Sequence, residues 1–184
     1  MSLELIGSHA CFGGEQRFYR HDSREIGLPM RFAVFLPAQA LGEPSRRVPT
    51  LMFLAGLTCT EETATIKAGA QRLAAEHGLA LIMPDTSPRG AGVEGESAAW
   101  DFGVGAGFYL DATQQPWSKH WRMESYIVEE LRELLGAELP IDLARLGLTG
   151  HSMGGHGALT LALRHPGLFK TVSAFAPILS LIHI

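Results

Sequence analysis

The sequence has 184 residues, 46% of them hydrophobic, which suits one domain with a buried core and excludes a disordered chain. Its 15 lysines and arginines stand against 19 aspartates and glutamates, so the formal net charge is −4. No basic run exists that could neutralise a row of phosphates, so nucleic-acid binding is not expected. A small neutral or anionic ligand remains open.

The amino terminus lacks a basic segment followed by an apolar one, and no apolar run approaches the roughly 20 residues that cross a bilayer. We therefore expect a cytoplasmic protein without a membrane partner. The two cysteines, Cys11 and Cys59, fit neither a Cys-x-x-Cys pair nor a Cys/His ligand spacing. The sequence thus predicts no disulfide framework and no metal site, and a reducing compartment is the simplest interpretation.

The first half of the chain reads as strand, strand, helix, strand. Residues 30–37 partly alternate and close on a proline, as a strand near the edge of a sheet would. Residues 50–55 form a short apolar run stopped by Gly56, typical of a strand buried on both faces. Residues 63–77 have helical spacing and precede Gly78, a natural left-handed helix terminus. A buried strand over residues 79–84 completes one right-handed βαβ unit.

The second half begins with a long segment, residues 85–119, that is rich in Gly, Ser, Trp and Asp and has no sustained period. A loop of this length inside a compact domain is usually functional, so we interpret it as the wall of a site. A helix over 125–135, a strand over 145–149, a helix over 155–164 and a strand over 171–175 follow. This alternation predicts a single open, mostly parallel α/β sheet with helices on both faces and a ligand beyond the carboxyl ends of its strands.

The strand over 145–149 leads into Gly150-His151-Ser152-Met153-Gly154, a G-x-S-x-G motif followed at once by a helix. Such a sharp turn exposes the serine oxygen and points the next backbone N–H at a developing oxyanion. Glycines two residues before and after Ser152 avoid a collision in the turn. We therefore predict that Ser152 is a catalytic nucleophile; the alternative is a glycine-rich turn with an incidental serine.

A second oxyanion donor is expected from the loop after an earlier strand, and residues 54–60 occupy that place. We predict that the backbone N–H groups of Leu57 and Met153 form the pair. The alternative for Gly56 and Leu57 is a plain turn from strand to loop.

Several runs together resemble one family, the S-formylglutathione hydrolases of the esterase D type. The runs are residues 56–62 (GLTCTEE), 67–72 (KAGAQR), 84–90 (PDTSPRG), 100–109 (WDFGVGAGFY), 111–113 (DAT) and 150–158 (GHSMGGHGA). The resemblance covers nearly the whole chain up to Ile178 and is more specific than the serine motif alone. Ala55 is a small departure, since the family usually has Gly or His there.

The resemblance implies an α/β-hydrolase fold and Ser152 as the nucleophile. It also implies hydrolysis of S-formylglutathione to glutathione and formate, the thioester step of formaldehyde detoxification, with no metal or organic cofactor. Because members of the family are often dimers, a homodimer is allowed. The competing hypotheses are a broad carboxylesterase on the same fold and a catalytically inactive binding fragment.

Four further residues are candidates for contact with the substrate. Gly56 and Cys59 lie in the predicted oxyanion loop, where Cys59 is either a reactive thiol or a small residue in a tight turn. Trp100 and Phe102 either line a cleft or cover the core. The glycines of residues 103–107 follow no strand and open no helix, so we interpret them as turns of the pocket wall and not as a nucleotide loop.

The remainder of a Ser-His-Asp triad is missing from the expected place. An α/β-hydrolase carries its acid and then its histidine after the serine, and residues 153–184 contain no Asp or Glu. His156, His165 and His183 do not fit the base, and an order using Asp101 or Asp111 with His120 would demand a different fold.

The last six residues also look foreign to the family. Residues 179–184 (LSLIHI) are one translation of a transposon mosaic end used in sequencing libraries. We therefore expect residues 1–178 to be the first two thirds of a hydrolase domain and residues 179–184 to be a non-native tail.

Overall fold

The computed structural model describes residues 3–42 and 46–180, which form one sheet of seven strands in the order β1-β2-β3-β5-β4-β6-β7. The strands are β1 (Leu3–Cys11), β2 (Gly14–Asp22), β3 (Pro29–Leu36), β4 (Val48–Leu54), β5 (Ala80–Pro84), β6 (Ile141–His151) and β7 (Val172–Phe175). Strands β1, β2, β3 and β5 pair antiparallel in that order, whereas β5, β4, β6 and β7 pair parallel. Five strands, β2 and β4 to β7, therefore run in one direction.

Helices connect the parallel strands. They are α1 (Ala38–Leu41), α2 (Glu61–Lys67), α3 (Gln71–His77), α4 (Met123–Ser125), α5 (Arg132–Glu138) and α6 (Met153–Arg164). A π-helical segment, Tyr126–Leu131, joins α4 to α5, and Trp117–Lys119 form one 3₁₀ turn. No helix in the described part of the chain is long and apolar enough to cross a membrane.

The sheet separates two apolar clusters. On one face, Phe32, Met52 and Leu148 pack against the π-helical segment and α6. On the other face, Phe35 and Leu81 pack with Ala74 of α3. Because side chains alternate along a strand, neighbouring residues feed opposite clusters and both faces are buried at the centre. The predicted α/β sheet with helices on both faces is confirmed, and its fold is that of an α/β-hydrolase.

The prediction that residues 30–37 lie near the edge of the sheet was wrong. Strand β3 is the third of seven, because the hairpin of β1 and β2 adds two strands outside it. The proline does end the strand, since β3 stops at Leu36, immediately before Pro37. Because Pro37 lies after the strand, it removes no hydrogen bond between β3 and its neighbours. A proline at the end of a strand therefore does not indicate whether that strand is central or at an edge.

The helix predicted over 63–77 is two helices. Gly69 has a φ of +62° between α2 and α3, a left-handed conformation that breaks the helical path. The end of α3 is as predicted, with Gly78 at φ 64° and ψ 33°. The other predicted elements are present with shifted bounds. Strand β6 and helix α6 extend beyond the predicted residues 145–149 and 155–164, whereas β5 and β7 begin one residue later than the predicted 79–84 and 171–175. The helix predicted over 125–135 is formed by α4, the π-helical segment and α5 together. Residues 181–184 of the expected tail, including His183, lie outside the described residues.

Candidate active site

Ser152 stands between the end of β6 and the start of α6, at the edge of the sheet where β4 and β5 also end. Its φ of 57° and ψ of −120° are unusual for a residue with a side chain, and such a conformation costs on the order of 1–3 kcal/mol. Backbone hydrogen bonds hold it there. Ser152 N donates to Phe175 O at 3.0 Å, and Ser152 O accepts from the N–H groups of His156 and Ile178 at 3.0 and 3.3 Å.

The glycines around Ser152 are required by close backbone approach. A Cβ on Gly150 would overlap the carbonyl oxygen of Gly154, and a Cβ on Gly154 would overlap that of Leu54. On Gly157 it would overlap the ring of Tyr109. The turn is therefore packed so tightly that only glycine fits two residues before and two after the serine.

The loop after β4 reaches the serine directly. A Cβ on Gly56 would lie 3.2 Å from Ser152 Cβ and 3.7 Å from Oγ, so the backbone of Gly56 faces the hydroxyl. Leu57 follows Gly56, and Met153 is the first residue of α6, where a backbone N–H has no partner within its own helix. The structure thus brings Gly56 to Ser152, and Ser152 itself is partly exposed. The two predicted donors, Leu57 and Met153, are the chain neighbours of these two residues.

Cys59 closes a tight turn beside this loop. Its N–H donates to Gly56 O at 3.3 Å, and Thr58 before it has a φ of 65°. The thiol is half-buried and borders a cavity of about 200 Å³ shared with Gly56 and His151. Cys59 therefore fills the turn and also borders a cavity shared with His151, the residue before the serine.

Three residues that the sequence interpretation missed fix the same turn. Thr86 Oγ1 and Arg89 Nη2 both donate to Cys59 O, at 2.6 and 3.0 Å. Asp85 accepts two hydrogen bonds from Arg89, at 2.7 and 2.8 Å. The hydrogen bonds to Asp85 raise the pKa of Arg89, and this effect outweighs burial, which acts to lower it. The run PDTSPRG was already a visible part of the family resemblance, but sequence order alone cannot show that it meets residue 59, some 27 positions earlier in the chain.

Tyr109 ties the long loop to the end of β4. Its side chain is fully buried, and its hydroxyl donates to Ala55 O at 2.9 Å. Burial raises the pKa of Tyr109 well above its usual value, so the hydroxyl stays a hydrogen-bond donor. The loop predicted to be the wall of the site is thus anchored one residue before Gly56.

Trp100 and Phe102 lie apart from the serine turn. Both are exposed, and Phe102 packs edge-on against Trp117 with ring centroids 4.6 Å apart. Phe102 also lines a cavity of about 250 Å³ that includes Phe108, whose ring faces His156 on α6. The aromatic cavity thus reaches α6 through Phe108, and its loop also contacts the segment after β4, because Thr58 N donates to Gly105 O at 2.9 Å.

Three described histidines that the sequence analysis considered have other partners. His156 Nε2 lies 3.5 Å from Thr160 Oγ1, His165 Nε2 lies 2.8 Å from Glu124 Oε1, and His120 Nδ1 lies 2.7 Å from Ile26 O. No hydrogen bond within residues 3–42 and 46–180 joins a histidine to Ser152 Oγ. Nor do three His, Cys, Asp or Glu side chains of that part of the chain come close enough together to hold a metal ion.

A serine on a strained strand-to-helix turn, at the carboxyl edge of this sheet and facing a glycine loop, defines the class of α/β-hydrolases with a nucleophile elbow. Residues 23–183 match the putative esterase family, and the chain belongs to that family.

The sequences of several known proteins align with most of this chain. It is 53% identical over 178 residues to an S-formylglutathione hydrolase of Mus musculus and 52% identical over 178 residues to one of Paracoccus denitrificans. Each match covers 97% of this chain and 62% of the relative. A solved S-formylglutathione hydrolase from Agrobacterium tumefaciens superposes with a TM-score of 0.91 at 46% identity, over 96% of this chain and 62% of the other. The chain thus spans about three fifths of the length of these relatives.

Proposed function

We propose that this protein is a serine thioesterase that hydrolyses S-formylglutathione to glutathione and formate. The observation that carries the proposal is the approach of Gly56 to Ser152 at the carboxyl edge, which supports Ser152 as the nucleophile and the loop after β4 as the source of an oxyanion donor. The names of the relatives at 53% and 52% identity supply the substrate. This role belongs to formaldehyde detoxification and needs no cofactor.

In the proposed reaction, Ser152 Oγ attacks the formyl carbon while the N–H groups of Leu57 and Met153 stabilise the oxyanion. The glutathione sulfur leaves with a proton, and a formyl ester remains on the serine. Water then attacks that ester and releases formate. Both attacks need a general base, and no described residue is placed to serve as that base for Ser152. The chain matches only 62% of the length of each relative, which is consistent with a triad whose acid and base are not among the residues of this sequence.

The finer assignments follow the same proposal. We propose that Gly56 and Cys59 border the reacting thioester. Phe102, in the more distant aromatic cavity, and the exposed Trp100 are the proposed outer contacts of the substrate. Cys11 and Cys59 are free thiols, which suits the reducing cytoplasm. The partner is a small glutathione thioester, and a homodimer is the proposed assembly.

The test is the first half-reaction, with imidazole in solution as the base. The chain is incubated with S-formylglutathione or with an aryl acetate, and the peptide that contains Ser152 is weighed by mass spectrometry. We expect a formyl ester on Ser152 that forms faster than the acetyl ester and is absent from Ser152→Ala. Acetylation without formylation would instead favour a broad carboxylesterase, and no acylation by either reagent would favour an inactive fragment.

A further inference from the structure

A second cavity lies at the same edge of the sheet, beyond the end of β5. Its volume is about 760 Å³, and three arginines and four carboxylates line it: Arg20, Arg31, Arg89, Glu4, Glu61, Glu62 and Asp85. The register places Glu4 opposite Arg20 and Arg20 opposite Arg31, and Asp85 N donates to Arg31 O at 3.1 Å. A row of charged residues therefore crosses β1, β2, β3 and the end of β5.

Most of these charges are already neutralised in pairs. Arg20 lies 3.2 Å from Glu4, and Arg89 lies 2.7 Å from Asp85. Arg31 is exposed and has no ion pair within the described residues. It stands in the middle of the row, so its guanidinium is available to an anionic group entering the cavity.

Glu61 is the matching acidic group. It is only 4% exposed, yet it lines the cavity and forms no ion pair within the part of the chain that the structure describes. Burial, and then repulsion from Asp85, raises the pKa of Glu61, while Arg31 acts in the opposite direction. A cationic group at this carboxylate would relieve that repulsion.

An arginine and a buried carboxylate that share one cavity favour a ligand with both charges. A simple carboxylate would be repelled by Glu61, and a simple amine would be repelled by Arg31. An α-amino-acid group, with its ammonium and carboxylate on one carbon, satisfies both. The glutathione of the proposed substrate carries such a group at its γ-glutamyl end.

We propose that this cavity binds the γ-glutamyl end of the glutathione thioester, with its α-carboxylate on Arg31 and its α-ammonium on Glu61. This inference rests on the proposed function. The assignment makes Arg31 and Glu61 specificity-determining residues, remote from the bond that breaks.

One tight turn joins the cavity to the serine. Thr60 and Arg89 line the cavity, and Arg89 Nη2 donates to Cys59 O at 3.0 Å. Cys59 N donates to Gly56 O at 3.3 Å, and the backbone of Gly56 faces Ser152. An extended γ-glutamylcysteine spans about 10 Å from its sulfur to its α-amino group. We expect a ligand of that length to hold its sulfur near Ser152 and its amino-acid end in the cavity.

The test measures binding of reduced glutathione to the full chain by titration calorimetry. Arg31→Ala and Glu61→Gln are compared with Arg72→Ala, an exposed arginine on α3 whose ion pair is with Glu76. We expect each cavity variant to weaken binding at least about tenfold and the control to change it less than about twofold. Cysteinylglycine, which lacks the γ-glutamyl group, should bind to the native protein at least about tenfold more weakly than glutathione does. Its affinity for Arg31→Ala should equal its affinity for the native protein.

The inference is overturned if glutathione does not bind, if Arg31→Ala binds like Arg72→Ala, or if the dipeptide binds as tightly as glutathione. These outcomes are separate from those of the proposed function. Formylation of Ser152 together with an unaffected Arg31→Ala would reject the cavity and keep the thioesterase. Arg31-dependent binding without any formylation would keep the cavity as a glutathione site and reject the thioesterase.

Discussion

His21 is a buried histidine whose protonation opposes folding. It is 2% exposed, its ring stacks on Tyr126 at 5.7 Å, and its Nε2 lies 3.1 Å from the Tyr126 hydroxyl. Its Nδ1 is buried without a hydrogen-bond partner in the described structure. Burial lowers the pKa of His21, against the opposite influence of Glu130 and Asp22. The folded protein therefore holds this ring neutral.

A pH dependence of stability follows from that lowered pKa. The unfolded chain takes up a proton at about pH 6.5, whereas the folded chain resists until a lower pH. The contribution of His21 to the free energy of unfolding is therefore at its maximum above about pH 6.5. It is lost as the pH falls toward the lower pKa that His21 has in the folded protein. Thermal unfolding between about pH 7.5 and pH 5 should show a steeper fall in Tm for the native chain than for His21→Gln. His77→Gln, an exposed change on α3, should keep the native slope; equal slopes for His21→Gln and the native chain would contradict the prediction.

At the scale of elements, Tyr109 links the loop of residues 85–119 to the end of β4. Tyr109→Phe would remove the donor to Ala55 O and leave that carbonyl buried without it. We expect a loss of about 1–3 kcal/mol in the free energy of unfolding. We also expect slower acylation of Ser152, because Ala55 immediately precedes the loop that faces the serine. Urea unfolding and the acylation assay measure the two effects.

Tyr19→Phe is the matched control for this change. The Tyr19 ring is buried, and its hydroxyl accepts one long hydrogen bond, 3.4 Å from Nη1 of the partly exposed Arg17. Tyr19 also lies far along the chain from the loop of residues 85–119. Its loss should change stability by less than about 1 kcal/mol and leave acylation as in the native chain. An equal effect of both substitutions on acylation would show that Tyr109 does not act through Ala55.

The elements that the sequence predicts best are those whose apolar runs are buried on both faces. Strands β4 and β5 belong to this group, since β5 is buried along its whole length and β4 has no exposed residue. The hairpin of β1 and β2 was missed because β1 is largely exposed and its residues show no regular alternation. Such a strand is specified by pairing with its neighbour, which lies outside any local window.

In the candidate site, too, the features set by nearby residues were predictable and those set by contacts between distant segments were not. Ser152 and its glycines were predictable because their conformation is set within five residues. The clamp of Asp85 and Arg89 on Cys59 was not, since it depends on two loops meeting at the carboxyl edge. The break between α2 and α3 was also missed, although Gly69 marks it, because the apolar period continues across the glycine.

At the scale of the whole molecule, the parallel half of the sheet gathers the chemistry. Strands β4, β5 and β6 end at one edge, so the loop after β4, the Asp85–Arg89 pair and Ser152 meet there although they are spread over the chain. The antiparallel half adds Arg20 and Arg31 to the same edge through β2 and β3. Ser152 and the charged cavity therefore lie at the same edge of the sheet.

The other consequence of this sheet concerns β7, the last strand in the order. Val172 and Phe175 on it are 46% and 60% exposed, and an exposed apolar edge strand is a template for pairing with another chain. We expect the average mass in sedimentation velocity to rise with protein concentration for the native chain. Val172→Lys combined with Phe175→Lys should remain monomeric, because two charges at the edge oppose association. Leu73→Lys, at an equally exposed leucine on α3, should associate like the native chain; a native chain that stays monomeric throughout would show that β7 is not a pairing edge.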